Sequence, residues 1–461
     1  MSVRWAALSA VLMLVAGCLA DPEPHAPRDA SVDAADAADG AAGDAGDGGS
    51  RGWCGQTGAT PTALPRLTFP YRYLNGVVTD LNCDQKDDVI LLAISDGAGQ
   101  GIHVTLGPLE RILRSRGFVS TGTTRPYAAE LAELSGDSYP DLVVVGAERT
   151  MGDAGLITNQ VVKLLLFEGT ATLGFRAAGS VTLPSLAPAL EYPQNSRMFM
   201  ALLDLDGDAQ RDVVVWSGDP YVTSNTVQLE LSPWGASPVA RDVRIVPPEG
   251  SQHGGPIRAW RSRDPGVTKA HDSIFIASTS GVLLYDNDGA GLLNPGTIAP
   301  TARATATAQP FFDLDRDGQV DIIGADMNVD TGITSIVGFT AMGLWPPVFH
   351  RMQSSVPVPS PPGGAATVVA DFEGDGQPEL VLLDNYQDVG PYTLRVLYDL
   401  SPGAELTAST LRSVTFASGW QPDQLLIGDF DGSGRPEVWT LDQGGLARGY
   451  DILQDPIVEL P

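Results

Sequence analysis

Basic residues are scarce in this chain. Lys and Arg number 28 against 56 Asp and Glu, a formal net charge of -28. Phosphate binding needs clustered Lys and Arg, so this balance argues against nucleic acid and makes a cation the natural partner. Histidine is scarce too: His25, His103, His253, His271 and His350 show no H-x-x-x-H spacing and read as surface or satisfied loop residues. G-x-S-x-G, H-E-x-x-H and the P-loop are missing, and the GDS at Gly136–Ser138 sits inside an acidic loop. Long helical periodicities are lacking, whereas Gly 52 and Pro 35 imply many turns. At 461 residues and 43% hydrophobic content, the chain suits two or three ordinary domains or one large repeat array.

The first sixty residues stand outside any fold. Arg4 is a short positive start, and WAALSAVLML is an apolar core too short to span comfortably as a mature helix. VAGC, Val15 to Cys18, resembles a bacterial lipobox, which implies a signal peptide over 1–17 and a lipidated Cys18. An ordinary secretory signal cut near Ala20 is the alternative. Leu19 after the cysteine favours, by that resemblance, the outer membrane, on its periplasmic or its cell-surface side. Residues 18–60, almost all Ala, Asp, Gly, Pro and Ser in their central part, lack the apolar area to offset chain entropy and read as a disordered tether. Only 3 cysteines are present. Lipidation of Cys18 leaves Cys54 and Cys83 as one disulfide pair in an oxidising compartment, or as two free thiols. A bridge there would be worth roughly 3 to 4 kcal/mol on the chain-entropy model.

What is abundant is aspartate, in a recurring arrangement. DLDRDGQVDIIGAD at Asp313 sets carboxylates at alternate positions and then turns apolar. The pattern returns as DLNCDQKDDVILLA at Asp80, ELSGDSYPDLVVVGA at Glu133 and DLDGDAQRDVVVWSG at Asp204. It returns again as DFEGDGQPELVLLDN at Asp371 and DFDGSGRPEVWTLD at Asp429. RDPGVTKAHDSIFIAS, aligned on Asp264 and Asp272, is a degenerate seventh copy. A short apolar stretch precedes each loop and a β-branched run follows, with further strand-like segments such as VKLLLFEG and TLRVLYDL. About four strands in roughly 50 to 70 residues is the period of a β-propeller blade. The expectation is an all-β, seven-bladed propeller over residues 61–461. After the last copy VWTLD and LARGYDIL give two strands and IVEL at most a weak third. RLTFPYRYL, residues 66–74, is therefore expected to complete the C-terminal blade and lock the ring.

In D-x-D-x-D-G-x-x-D, positions 1, 3 and 5 of a tight turn point inward and position 9 closes the shell. Glycine is favoured at position 6, where the turn wants positive φ. Oxygen-only ligands select a hard cation, and a flexible loop suits Ca²⁺ better than octahedral Mg²⁺. An EF-hand fails because position 12 is Val215 or Gly324 inside strands, and RTX repeats are absent. The candidate ligands fall into six sets. Asp313, Asp315, Asp317 and Asp321, with Gly318, form the best; Asp204, Asp206, Asp208 and Asp212 are complete but have Ala209. Asp371, Glu373, Asp375 and Glu379 keep every charge, and Asp80, Asn82, Asp84 and Asp88 keep one neutral ligand. Asp429, Asp431, Ser433 and Glu437 have a weaker fifth position, and Glu133, Ser135, Asp137 and Asp141 are poorer still. The Asp264 copy, with Gly266 and Thr268, is expected to hold no metal.

At these motifs the chain resembles the FG-GAP/VCBS repeat family, which builds the integrin alpha-chain propeller. The likeness runs over nearly all of residues 66–461, and GA in LVVVGAE and DIIGAD is similar to that family's second half-motif. The resemblance implies several structural calcium ions and recognition at the end away from the acidic loops. ERTMGDAGLITNQ, SLAPALEYPQNSR and VPVPSPPGG are the longest connections there, with Tyr192, Arg197, Tyr221 and Trp345 as exposed-type side chains. Trp216, Trp234, Trp260, Trp420 and Trp439 read mostly as core. Two classes of function stay open: a monomeric, envelope-tethered module binding a protein or glycan, touching membrane only through its lipid, and a polysaccharide lyase or hydrolase on the same scaffold. The lack of a convergent His, Tyr, Arg or acid cluster favours binding over an enzyme. Fold alone does not decide between them.

Overall fold

The computed structural model describes residues 72–460 apart from connecting segments, the longest of them 184–197, 261–272 and 301–310. The signal, Cys18, the tether and Cys54 lie outside the described residues. Among the described residues the protein is all-β, and every strand pairing is antiparallel. The strands form seven sheets, each a plain meander in chain order. The first is Arg72–Thr79, Asp88–Ser95, Gly99–Thr105 and Gly117–Gly122; the second is Thr124–Ala132, Asp141–Met151, Ile157–Gly169 and Phe175–Thr182. The third is Met198–Leu203, Asp212–Ser217, Thr226–Leu231 and Val239–Arg244; the fourth is His253–Trp260, Ser273–Ser278, Gly281–Asn287 and Leu293–Pro300. The fifth joins Phe311–Phe312, Asp321–Asn328, Ile333–Met342 and Val348–Arg351, with Val356–Val358 added beside Ile333–Met342. The sixth is Ala366–Ala370, Glu379–Asp384, Thr393–Tyr398 and Thr410–Thr415, and the seventh is Pro422–Gly428, Glu437–Asp442, Ala447–Asp451 and Val458–Glu459.

The second strands of the first three sheets open, after their leading acid, on apolar runs because both their faces are covered. Val89 to Leu92, Leu142 to Val145 and Val213 to Val214 have no exposed surface. The covering surfaces are the neighbouring sheets. Ile90, Leu92 and Ile102 of the first sheet share a cluster with Leu131, Leu142 and Val144 of the second. Val143, Val145 and Leu164 then meet Met200, Val213 and Val215 of the third, and Ile323 and Ile336 of the fifth meet Val369 and Leu380 of the sixth. Outermost strands show the opposite pattern: Phe175–Thr182 and Thr410–Thr415 are largely exposed. First strands of successive sheets lie side by side, from the first sheet to the second, third and fourth and from the fifth to the seventh. The first strand of the seventh packs on that of the first, so the chain returns to its start.

Two expectations are corrected. Arg72 to Leu74 belong to the first sheet rather than the last, which completes itself through the pairs Tyr450↔Glu459 and Asp451↔Val458. This short strand is held because the sixth sheet grips the turn before it. The Tyr398 hydroxyl donates to the Ile452 carbonyl, Arg412 Nη1 donates to the Leu453 carbonyl at 3.2 Å, and the Arg412 guanidinium stacks 4.4 Å from the Tyr398 ring. The second correction concerns residues 149–160. They are not a long loop but largely an extension of a hairpin, paired as Arg149↔Gln160, Thr150↔Asn159 and Met151↔Ile157. β-Branched Thr150, Ile157, Thr158 and Val161 favour that extended form. VPVPSPPGG likewise begins as a strand, Val356–Val358, while 184–197, Tyr221 and Trp345 lie outside the described residues.

Arg412→Ala removes the carbonyl donor and the Tyr398 stacking together. It is expected to cost about 1 to 2 kcal/mol and to make residues 452–460 the earliest site of proteolytic clipping. Hydrogen exchange at that segment indistinguishable from wild type would contradict the assignment.

Candidate metal centre

Each described acidic loop joins the first strand of a sheet to the second, and the degenerate Asp264 copy falls between the equivalent strands of the fourth sheet. The first and last loops are described throughout and share one backbone form. Positions 4 and 6 have positive φ: Cys83 (59°) and Gln85 (69°) in the first, Gly432 (77°) and Gly434 (80°) in the last. Only position 6 was expected to need this. Two non-glycine residues bear the strain in the first loop, and Cys83 is in addition disulfide-bonded. Its expected partner, Cys54, lies outside the described residues.

That backbone turns successive N–H groups inward, and the acidic side chains accept them in the same order in both loops. Position 1 accepts from positions 5 and 6. Asp84 N–H reaches Asp80 Oδ1 at 3.2 Å and Gln85 N–H reaches Oδ2 at 2.9 Å, while Ser433 and Gly434 N–H each reach Asp429 at 2.8 Å. Position 3 accepts from position 5, in Asn82 from Asp84 (3.0 Å) and in Asp431 from Ser433 (2.8 Å). Position 5 accepts from position 7, in Asp84 from Lys86 (3.0 Å), in Asp137 from Tyr139 (2.9 Å) and in Ser433 from Arg435 (3.3 Å). Ser433 thus reproduces the bond of the aspartate it replaces.

Position 9 does something else. Asp88, Asp141, Asp212, Asp321 and Glu379 are fully buried at the start of their second strands. The N–H of position 2 donates to this carboxylate in four units: Leu81 to Asp88 (2.9 Å), Leu134 to Asp141 (2.8 Å), Leu314 to Asp321 (2.8 Å) and Phe372 to Glu379 (2.6 Å). The second oxygen of Asp88 takes the Gly107 N–H at 2.8 Å, and that of Asp141 takes the Gly169 N–H at 2.9 Å. Gly169 ends its third strand and Gly107 lies two residues past its own, both where a side chain has no room; a Cβ on Gly169 would lie 2.3 Å from the Pro140 carbonyl oxygen. Burial pushes the Asp88 carboxyl up to about 8 and that of Glu437 up to about 7. Burial raises Asp80 and Asp429 as well.

Positions 1, 3 and 5 therefore offer oxygen donors of the chemistry a hard cation takes, on a turn already shaped by its own amides; a carboxylate oxygen that accepts one N–H keeps a further lone pair. The ninth carboxylate is placed by backbone amides of its own, and by the same argument its oxygens keep lone pairs for the closing position of the shell. Among the described residues no three or more His, Cys, Asp or Glu side chains converge as a metal site. Glu133, Ser135, Asp204, Asp371 and Glu373 lie in described parts of their loops, whereas Asp206, Asp208, Asp313, Asp315, Asp317, Asp375 and the Asp264 copy lie outside the described residues. Among the histidines, His103 is buried rather than on a surface loop; its ring lies 4.9 Å from Phe118 and burial lowers its pKa to about 4, so it is neutral at physiological pH. Trp420 and Trp439 are core.

One participant was missed. Asp87, at position 8, reaches from the first loop to the last: its N–H donates to the Asp429 carbonyl at 2.8 Å and its Oδ2 accepts the Asp429 N–H at 2.7 Å. Burial pushes its carboxyl up to about 6. The signal was available, because the other copies carry Pro140, Arg211, His271, Val320, Pro378 and Pro436 at that position.

No protein-family model matches the sequence, and no curated protein does. Among solved structures, the chain is similar to an Agrocybe aegerita lectin described as recognising non-reducing terminal N-acetylglucosamine. The two are 15% identical, with a TM-score of 0.44 over 81% of this chain and 86% of that one.

The two roles of acid separate by mutation. Asp141→Ala strands three amide donors, including Ser135 N–H at 2.7 Å, and is expected to cost on the order of 3 kcal/mol. Asp137→Ala removes one exposed bond and in chelator should change the unfolding midpoint little; equal losses for the pair would refute the division. The pH dependence has a definite sign. Asp88 and Glu437 titrate higher when folded than a free carboxylate does, so folding takes up protons. Their stabilising contribution is complete below the ordinary carboxylate range and is lost as pH rises through about 7 to 8. Chelator-treated protein should therefore melt higher at pH 5.5 than at pH 8.5, a trend that thermal melts across that interval would check.

Proposed function

We propose that the chain is an envelope-tethered binding module: a seven-bladed β-propeller of the FG-GAP/VCBS kind, stabilised by calcium, that recognises a protein or glycan. The observation that carries this reading is the shared amide pattern of the first and last acidic loops. Two turns from opposite ends of the chain present positions 1, 3 and 5 in the same way, although only one has an acid at position 5. Asp80, Asn82, Asp84 and Asp88, and Asp429, Asp431, Ser433 and Glu437, are the residues that would hold the ion. When bound, the ion supplies positive charge to offset like-charge crowding on the turn. Cys18 would carry the lipid and residues 18–60 the tether, leaving the domain free to meet a partner from the membrane surface. Recognition falls to the end away from the acidic loops, where the hairpin around Met151 and Ile157 runs past the last rung that its neighbouring first strand provides, Thr124↔Glu148.

EGTA is expected to lower the melting temperature of residues 53–461 by many degrees, with Ca²⁺ and not Mg²⁺ restoring it. A melting curve indifferent to EGTA removes calcium from the reading. Glycan-array and pull-down screens of the same soluble domain address the binding half. A ligand whose capture survives shortening of the 149–160 hairpin, but fails in a folded Asp429→Ala variant, would move the recognition face to the acidic loops.

A further inference from the structure

The chain has to bring its first and last sheets together without exchanging a strand between them. Their shared core is apolar: Val78, Val89 and Leu91 of the first sheet, with Leu109 after its third strand, belong to one cluster with Leu425, Val438 and Trp439 of the last and Phe430 of its acidic loop. Such contacts hold two surfaces together but do not fix their register, since apolar attraction is non-directional. The polar contact at this seam is specific. Asp87 and Asp429 exchange two hydrogen bonds, backbone to backbone at 2.8 Å and side chain to backbone at 2.7 Å. The surroundings are cut to fit Asp87. A Cβ on Gly428 would stand 2.6 Å from Asp87 Oδ2 and 2.7 Å from Val78 Cγ1, and one on Gly107 would stand 2.7 Å from the Asp87 carbonyl oxygen. Beside them the Lys86 side chain packs on Gly432, where a Cβ would approach its stem within 3.2 Å.

We propose that Asp87 is the latch that closes the seven sheets, a positioning residue at the one junction where the chain's two ends meet. The inference stands on this contact and needs neither calcium nor a ligand. No other copy of the repeat carries an acid at position 8, as expected if the residue serves the junction of the chain ends and not the loop. The seam is then a separable unit of opening: breaking the latch frees the first and last loops without unfolding the second strands behind them.

Hydrogen exchange on the full chain, followed by mass spectrometry in the presence of EGTA, tests this. Asp87→Ala and Gly428→Ala should speed exchange in peptides covering 80–88 and 429–437 by roughly tenfold or more, the size expected for loss of a hydrogen bond to a buried carboxylate. Peptides of the sixth sheet, including the Phe416 N–H bonded to the Tyr392 carbonyl at 2.9 Å, should not change. Asp87→Asn keeps an acceptor oxygen and should stay near wild type. Unchanged exchange at both seam peptides in Asp87→Ala overturns the latch, as does an Asp87→Asn variant as impaired as Asp87→Ala. If Asp87→Ala does not fold, wild-type protein decides. Seam peptides that exchange together and ahead of residues 89–92 support the latch, and seam peptides protected to the same degree as those residues overturn it.

Discussion

A carboxylate carried into an apolar interior must find donors there, because water no longer supplies them. Each of five second strands begins with such a group, fully buried. In four units its partner is the N–H of the residue seven positions earlier, at the start of the loop. In the first two sheets it also takes the N–H of a glycine at or just past the end of the third strand. One acid thus fixes the entry of the loop, the head of the second strand and the exit of the third. Glu379 makes the contact to Phe372 as Asp321 makes it to Leu314, so the extra methylene of glutamate is absorbed without loss of the bond.

The rest of the architecture depends on sheets that cannot stand alone. A second strand such as DVILLAIS is apolar on both faces, and a single sheet would leave one of them in water. Packing against a neighbour on each side removes the problem for every sheet that has two neighbours, and return of the last sheet to the first leaves no outer pair. The cost falls on the junction of the ends. There a continuous apolar cluster spans the sixth, seventh and first sheets, and the turn before the final strand is held from the sixth sheet by Tyr398 and Arg412.

Much of this was legible in the sequence, since the signal was repetition. Acids at alternate positions before an apolar run locate the link between first and second strands in six units, and the first and ninth acids alone, Asp264 and Asp272, locate it in the degenerate one. Local composition could not reveal which partner each acid takes. Asp141 and Asp137 look alike in a motif, yet one bonds an amide 28 residues away and the other an amide two residues on. Position 4 escaped notice because Cys83 does not announce a positive φ as Gly432 does. The hairpin at 149–160 is obscured in the sequence by Gly152, Asp153 and Gly155, which read as loop residues, while the pairing on either side includes Thr150, Ile157 and Val161. The closing strand was misassigned because Val458–Glu459 is only two residues long and owes its place to side chains of another sheet.

The distribution of charge between the loop and the knot explains why one motif serves two ends. In the first and last loops positions 1, 3 and 5 are half-buried or exposed, and a turn of inward amides offsets part of their charge. Position 9 accepts backbone amides in four units, and in the last sheet Glu437 takes the Trp439 indole N–H at 3.5 Å. The motif therefore has an exposed outer set and a buried inner acid on one turn. The outer one tolerates Asn82 or Ser433, since a neutral oxygen accepts the same N–H. The inner one is an acid in all seven copies, including Asp272 of the degenerate unit that has lost the outer acids. That asymmetry is what a structural knot under a replaceable outer set would leave behind.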